Sequence, residues 1–392
     1  MLEKALEGNS KYWAWIFFLL GVMFIGGLCY VHQFNYGLGV TGMSRDVSWG
    51  VYIAQFTFMV GVAAGGVMLA LPLYIHDYKV FGKIAVLGEF MAIAAVGMCL
   101  MFITVDLGQP MRIMNVILHP TPHSMLFWDM IVLNGYLFLN VVCGWVILHA
   151  VYKEVPPPKW SKPLVILSVP WAFSIHTVTA FLYAGLPGRH FWLSAIIAPR
   201  FLASAFAAGP ALLLIIALIL KHMGCFDPGK KAVQKLTTII IYAAIANLFF
   251  VGLEFFTAFY SNVPEHMATL KYLFWGSEGY HNLVIPMRFS LIIGIIGIIL
   301  LLFKKFRESD GWLGFCLALI FVSLWIDKGV GFVLGGFVPS PFERITEYHP
   351  TATEIGITIA IWAAGALILT ILYKVALEVE FKDQCEVGLK KD

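Results

Sequence analysis

Residues 84–105, IAVLGEFMAIAAVGMCLMFITV, decide the fold: twenty-two residues with a single charge, Glu89. As a helix they would extend about 33 Å, enough to cross the roughly 30 Å hydrocarbon core of a bilayer. Nine further stretches of this kind surround them, at residues 12–31, 49–75, 125–151, 163–185, 192–220, 233–259, 284–303, 312–338 and 353–377. Backbone in lipid must satisfy its own hydrogen bonds, so each stretch is read as a spanning helix. The expectation is an all-α integral membrane protein with ten transmembrane helices, organised as one polytopic domain over 1–392.

Composition points the same way. Hydrophobic residues make up 60% of the chain and charged residues 12%, about half the charged share of a soluble domain. The net charge of +3 offers nothing to nucleic acid, and no basic block interleaves with aromatics. The run after Lys11 is as long as a spanning helix and lacks a small-x-small cleavage site, so it is kept as the first helix.

Charge sets the orientation. Eighteen of the 26 lysines and arginines fall in the two tails and the even-numbered loops, six in the odd-numbered loops, and Arg200 and Lys328 inside helices. By the positive-inside rule both termini face the cytoplasm. The longer loops 106–124, 260–283 and 338–352, rich in Pro, Gly, His and aromatics, lie on the outer side and suggest a binding surface.

Polar residues inside a membrane are costly and mark candidate sites. The six cysteines have no CxxC spacing, so this chain alone is expected to hold no iron–sulfur cluster or structural zinc. Of the histidines near helices, only His176 lies well inside one, which is too few for bis-histidine haem. His176, about 13 Å deep, could exchange a proton with a quinone oxygen or simply bond a neighbouring helix. Asp106, in Asp106-Leu107-Gly108-Gln109-Pro110-Met111-Arg112, could accept a quinol proton or anchor the interface paired to Arg112. Glu89, Asp129, Glu254 and Asp327 read as buried mid-helix carboxylates. With Arg200 and Lys328 they are candidates for a proton pathway or for paired groups that fix helix packing.

Two likenesses within the chain suggest a parallel duplication: Ala63-Ala64-Gly65-Gly66 with Ala207-Ala208-Gly209-Pro210, and Glu89 with Glu254. The expected core is two four-helix bundles, helices 2–5 within 32–185 and helices 6–9 within 186–340. Helix 10 at 353–377 and a cytoplasmic tail at 378–392 follow.

Four segments resemble the NrfD family, which includes the polysulfide reductase membrane subunit: Gly61-Val62-Ala63-Ala64-Gly65-Gly66; Asp106 to Arg112; Pro199-Arg200-Phe201-Leu202-Ala203-Ser204-Ala205-Phe206; and Gly336 to Glu343 with Tyr348-His349-Pro350-Thr351. The ten-helix count is similar to the branch containing the DsrP and Hmc membrane subunits of sulfate-reducing microbes. The resemblance implies a subunit of an inner-membrane respiratory complex, not active alone. It would bind menaquinone or another quinone near the outer face. A periplasmic, ferredoxin-like iron–sulfur subunit would dock on the outer loops, with further cytochrome and membrane subunits. His176 and Asp106 would contact or deprotonate quinol, with Arg112 and Asp129 beside them. The rival class is a proton- or sodium-coupled secondary transporter, which a repeat and buried carboxylates also suit.

Overall fold

A computed structural model describes residues 2–67 and 79–380. Among them the chain is helical, with only an isolated bridge between Ser277 and Tyr280. The long helices are α1 (Ser10–Tyr36), α2 (Val51–Val67), α3 (Gly82–Asp106), α4 (Met125–Tyr152), α5 (Ser161–Ala184), α6 (Ile197–His222), α7 (Lys230–Tyr260), α8 (Val284–Leu302), α9 (Asp310–Leu324) and α10 (Ala352–Glu380). α9 runs on through a π turn, Trp325–Gly331, and a last α-helical turn, Phe332–Gly335. Among the described residues nine helices are long and apolar enough to cross a membrane, and α2 is a shorter apolar helix. The expected second span, 49–75, reaches into residues that lie outside the described ones.

Burial separates the helices into inner and outer members. Every described side chain of α2 from Tyr52 to Gly65 is buried, the mark of a helix surrounded by others. α1 instead exposes Phe17, Phe18, Phe24, Ile25 and Leu28, a surface suited to lipid. α2 packs on α3 and α5, α3 on α4, and α4 on α5. Further along the chain, α6 packs on α7 and α9, α7 on α8, and α8 on α9. α10 lies against α1 and α3.

α2 and α6 join these two rings at a crossing of small residues. A Cβ on Gly65 would collide with the backbone of Gly209, and one on Gly209 with that of Gly65. Small residues permit such approach where no hydrophobic force drives helices together in lipid.

The loops after α1, α3, α5, α7 and α9 lie at one end of the helices, and those after α1, α5, α7 and α9 are tied into a loop-rich face by cross-loop hydrogen bonds. Arg189 donates to the carbonyl oxygens of Asp46 (2.9 Å) and Phe337 (3.0 Å) and lies 4.5 Å over the Phe337 ring. Burial of this guanidinium lowers its pKa, which the nearby Asp46 partly offsets. The short helix Pro264–Trp275 is fastened by the Thr269 hydroxyl, which donates to Val338 O at 2.7 Å.

Candidate functional site beneath the loop-rich face

The candidate residues gather in one half of the molecule. Asp106 ends α3, Asp129 is the fifth residue of α4, and Arg200 the fourth of α6. His176 is eight residues from the end of α5 and Glu254 six from the end of α7. At 1.5 Å per residue these depths are about 12 Å or less below the loop-rich helix ends. Asp129 and Glu254 are therefore not mid-helix, as sequence alone suggested. Glu89 lies at the other end of α3, about 26 Å along the helix from Asp106. This also corrects the pairing of Glu89 with Glu254 as matching positions, because the two sit at opposite ends of their helices.

α5 supplies one wall of the site. His176, Thr179, Ala180 and Tyr183 follow an i, i+3, i+4, i+7 pattern and are all fully buried. The Thr179 hydroxyl donates to Asp129 Oδ1 at 2.8 Å. The Tyr183 hydroxyl meets Thr57 Oγ1 of α2 in a short hydrogen bond. Thr57 uses its own proton on Ile53 O at 2.7 Å, which makes Tyr183 the donor. No hydrogen bond joins either ring nitrogen of His176 to another helix among the described residues; the ring's hydrogen-bonding interaction is with the Ala172 backbone of its own helix. The alternative of a histidine bonded to a neighbouring helix is thus not seen.

Asp327 and Lys328 part company at the π turn. Arg200 Nη2 donates to both oxygens of Asp327 at 2.8 Å, and Nη1 donates to Glu254. This links α6, α7 and the π turn in one part-buried ionic cluster, with Arg200 buried and the two carboxylates half-buried. Lys328 points away from it, with Nζ 4.3 Å over the Phe201 ring and beside Gly61 of α2. The ammonium has no hydrogen-bond acceptor among the described residues, although it acts electrostatically on His176.

Asp106 stands at the rim. Its Oδ1 is buried without a hydrogen-bond partner among the described residues. Arg112 is exposed, and among the described residues no ion pair joins it to Asp106. The nearer neighbours are Tyr52 and Glu354, both within electrostatic reach. Tyr52 donates to Gln33 Oε1 at 2.7 Å, and Gln33 Nε2 donates to Val105 O at 2.6 Å. Glu89 is buried against α4, its Oε2 facing Gly144.

Sequence reasoning missed Glu354. It is fully buried and accepts from the N–H groups of Gly42 (2.7 Å) and Thr351 (2.8 Å) and from the Tyr348 hydroxyl (2.6 Å). Burial, and then the Glu354 carboxylate, raise the Tyr348 pKa. The signal was present: Thr351-Ala352-Thr353-Glu354 before an apolar run is a capping box. Tyr183 and Thr57 were also missed, since a tyrosine in an apolar helix carries no distinguishing spacing.

An aromatic column leads from the surface to this site. Trp49 contacts Tyr183, Trp192 and Phe337 with ring centres 5.4–6.0 Å apart. Phe332 contacts Tyr183 and Phe201, each at 5.1 Å. Above it a pocket of about 300 Å³ opens between Ser48, Trp49, Leu186, Arg189 and Phe337. Among the described residues no group of three or more His, Cys, Asp or Glu converges as a metal site would require.

Together these features define an integral membrane protein with a buried polar site under one face. The chain belongs to the NrfD family, described as polysulphide reductase, NrfD, whose family model matches residues 39–327. It is 25% identical to a protein of Halobacterium salinarum provisionally described as a membrane subunit of dimethyl sulfoxide reductase, over 91% of this chain and 89% of that one. It is 29% identical to an Hdr-like menaquinol oxidoreductase integral membrane subunit of Archaeoglobus fulgidus, over 54% of this chain and 52% of that one. It is 22% identical to the menaquinone reductase integral membrane subunit of Nitratidesulfovibrio vulgaris, over 93% and 91%.

Proposed function

We propose that the chain is the quinone-interacting membrane subunit of a multi-subunit respiratory redox complex, oxidising quinol or reducing quinone beneath the loop-rich face and not active alone. The observation that carries this reading is His176, fully buried, with neither ring nitrogen hydrogen-bonded to another helix among the described residues. A buried polar group without a partner costs about 1–3 kcal/mol, so its persistence suits a residue that bonds a ligand. Two similar proteins are named for menaquinol oxidation and menaquinone reduction, which supports menaquinone as the quinone.

The residues fit such a ligand. Imidazole can both donate to a carbonyl and accept from a hydroxyl. A bound quinol supplies two electrons and two protons. His176 would hold one proton, and Asp129, steadied by Thr179, is a second acceptor near it. Asp106 at the rim offers an outlet to water, and exposed Arg112 lies on the loop beyond it.

The finer parts of the reading rest on the sequence. They are ten spans with α2 among them, two repeated bundles formed by α2–α5 and α6–α9, both termini in the cytoplasm, and an inner-membrane location. In this reading the loop-rich face is periplasmic and docks an iron–sulfur, ferredoxin-like subunit, with cytochrome and further membrane subunits beyond it. Kinship with the DsrP and Hmc branch, and so with sulfate reduction, belongs to the same proposal. Proton translocation would use Glu89, Asp129, Arg200, Glu254, Asp327 and Lys328.

The transporter reading draws on the part-buried Arg200–Glu254–Asp327 cluster. Against it, Pro170 and Pro210 lie inside helices that run unbroken, α5 and α6, whereas many carriers bind solute at interrupted helices. His176→Ala in the native complex tests the two. Loss of quinol-dependent electron transfer with the subunits still assembled is expected. Undiminished turnover would remove His176 from the site, and solute uptake by the chain alone in liposomes would favour the transporter.

A further inference from the structure

Three buried nitrogens beneath the loop-rich face have no hydrogen-bond partner on another helix among the described residues: Nδ1 and Nε2 of His176 and Nζ of Lys328. They come from different rings of helices, α5 in one and the π turn after α9 in the other. We propose that Lys328 is a ligand-contacting residue of the His176 site, its ammonium donating a hydrogen bond to an oxygen of the quinone held there. This rests on the quinone reading above and adds a charged donor that the sequence assigned only to a proton pathway.

Geometry supports the assignment in three ways. The π turn adds a residue to the helical repeat, and such turns recur at functional sites. In it Asp327 meets Arg200 while Lys328, the next residue, lies against α2. Room for the ammonium is provided by Gly61, where a Cβ would stand 3.1 Å from Nζ. Gly329, in the same turn, packs tightly on Ala54 O of α2, where a Cβ would lie 3.0 Å away. The turn is thus seated directly against the inner helix.

Energetics argue that Lys328 is not a packing residue. Lys328 is 4% exposed. Both oxygens of Asp327 are engaged by Arg200, and among the described residues no hydrogen bond or ion pair joins Asp327 to Lys328. The cation–π contact with the Phe201 ring offsets only part of the cost of taking an ammonium out of water. An amine buried there without an acceptor is explained by a ligand oxygen that it meets. A positive donor favours whichever ligand form bears more negative charge on that oxygen.

Lys328→Met in the purified complex provides the test, with two readouts: the Kd of a quinone-analogue inhibitor and the thermal unfolding midpoint. Removing an unpaired buried charge should leave the midpoint unchanged or raise it, while losing a charged hydrogen bond should weaken inhibitor binding about tenfold or more. Gly61→Ala, which crowds Nζ without removing it, should weaken binding by a smaller factor. Wild-type affinity in both variants would overturn the assignment, and would leave the quinone reading intact if His176→Ala still abolished binding. A lowered midpoint with unchanged affinity would make Lys328 structural and overturn it too. If the wild-type complex bound no quinone analogue, the assignment and the quinone reading would fall together.

Discussion

Gly65 of α2 and Gly209 of α6 meet backbone to backbone, each occupying the space where the other's Cβ would be. Gly61, one turn earlier on α2, serves a different neighbour, leaving room for the Lys328 ammonium. The Gly61-x-x-x-Gly65 spacing therefore divides its work between a helix crossing and a side chain.

Gly65→Ala or Gly209→Ala should force α2 and α6 apart. Overpacking of this kind costs about 1–3 kcal/mol, visible as a lower unfolding midpoint in detergent. Gly27→Ala on α1, where a Cβ meets nothing within 4 Å, should leave the midpoint unchanged. Equal effects at Gly27 and Gly65 would contradict the crossing.

Thr179→Val preserves shape but removes the donor to Asp129 Oδ1. The carboxylate then lacks that hydrogen bond, at a cost of about 1–3 kcal/mol, and its hold near His176 loosens. Quinol-dependent turnover should fall while the complex still assembles, and Thr179→Ser should restore most of it. Turnover that is the same in the Val and Ser variants would show that the bond is incidental.

Glu354→Ala should loosen the loop-rich face instead of the helix core. It frees the N–H groups of Gly42 and Thr351 and the Tyr348 hydroxyl at once. Amide exchange over residues 42–51 should rise, because Tyr348 accepts from Val51 N–H at 3.0 Å. Protection unchanged from wild type would mean that the carboxylate is not what pins the loop.

Arg200→Leu should be the most damaging single change, since it strands Glu254 and Asp327 as half-buried carboxylates without their shared cation. Breaking a buried pair typically costs about 3–5 kcal/mol, whereas replacing all its members by apolar residues is often tolerated. Accumulation of folded protein should therefore fall for Arg200→Leu and recover in Arg200→Leu/Glu254→Leu/Asp327→Leu. A triple variant that folds but no longer couples electron transfer to proton movement would assign the cluster to a pathway; one that retains coupling would leave it a packing device.

The membrane class and most helix positions were legible because apolar length is a one-dimensional property: a stretch such as 84–105 needs no partner to declare that it spans. His176, Asp106, Asp129 and Arg200 stood out for the same reason, as polar groups in apolar surroundings. Glu354 was legible too, through its capping box, but its burial was not, since the groups that close over it come from Gly42 and Tyr348.

Depth and partnership were set by the tertiary structure. The sequence by itself determined that this chain is helical, apolar enough for lipid and sparing with its charges. Only the packing decided that Arg200 joins Glu254 to Asp327, that Arg112 leaves Asp106 alone, and that Lys328 sits over Phe201 beside Gly61. A helix fixes which face a residue occupies to within a turn. What that face meets depends on how neighbouring helices cross, and on a π turn that no apolar pattern records.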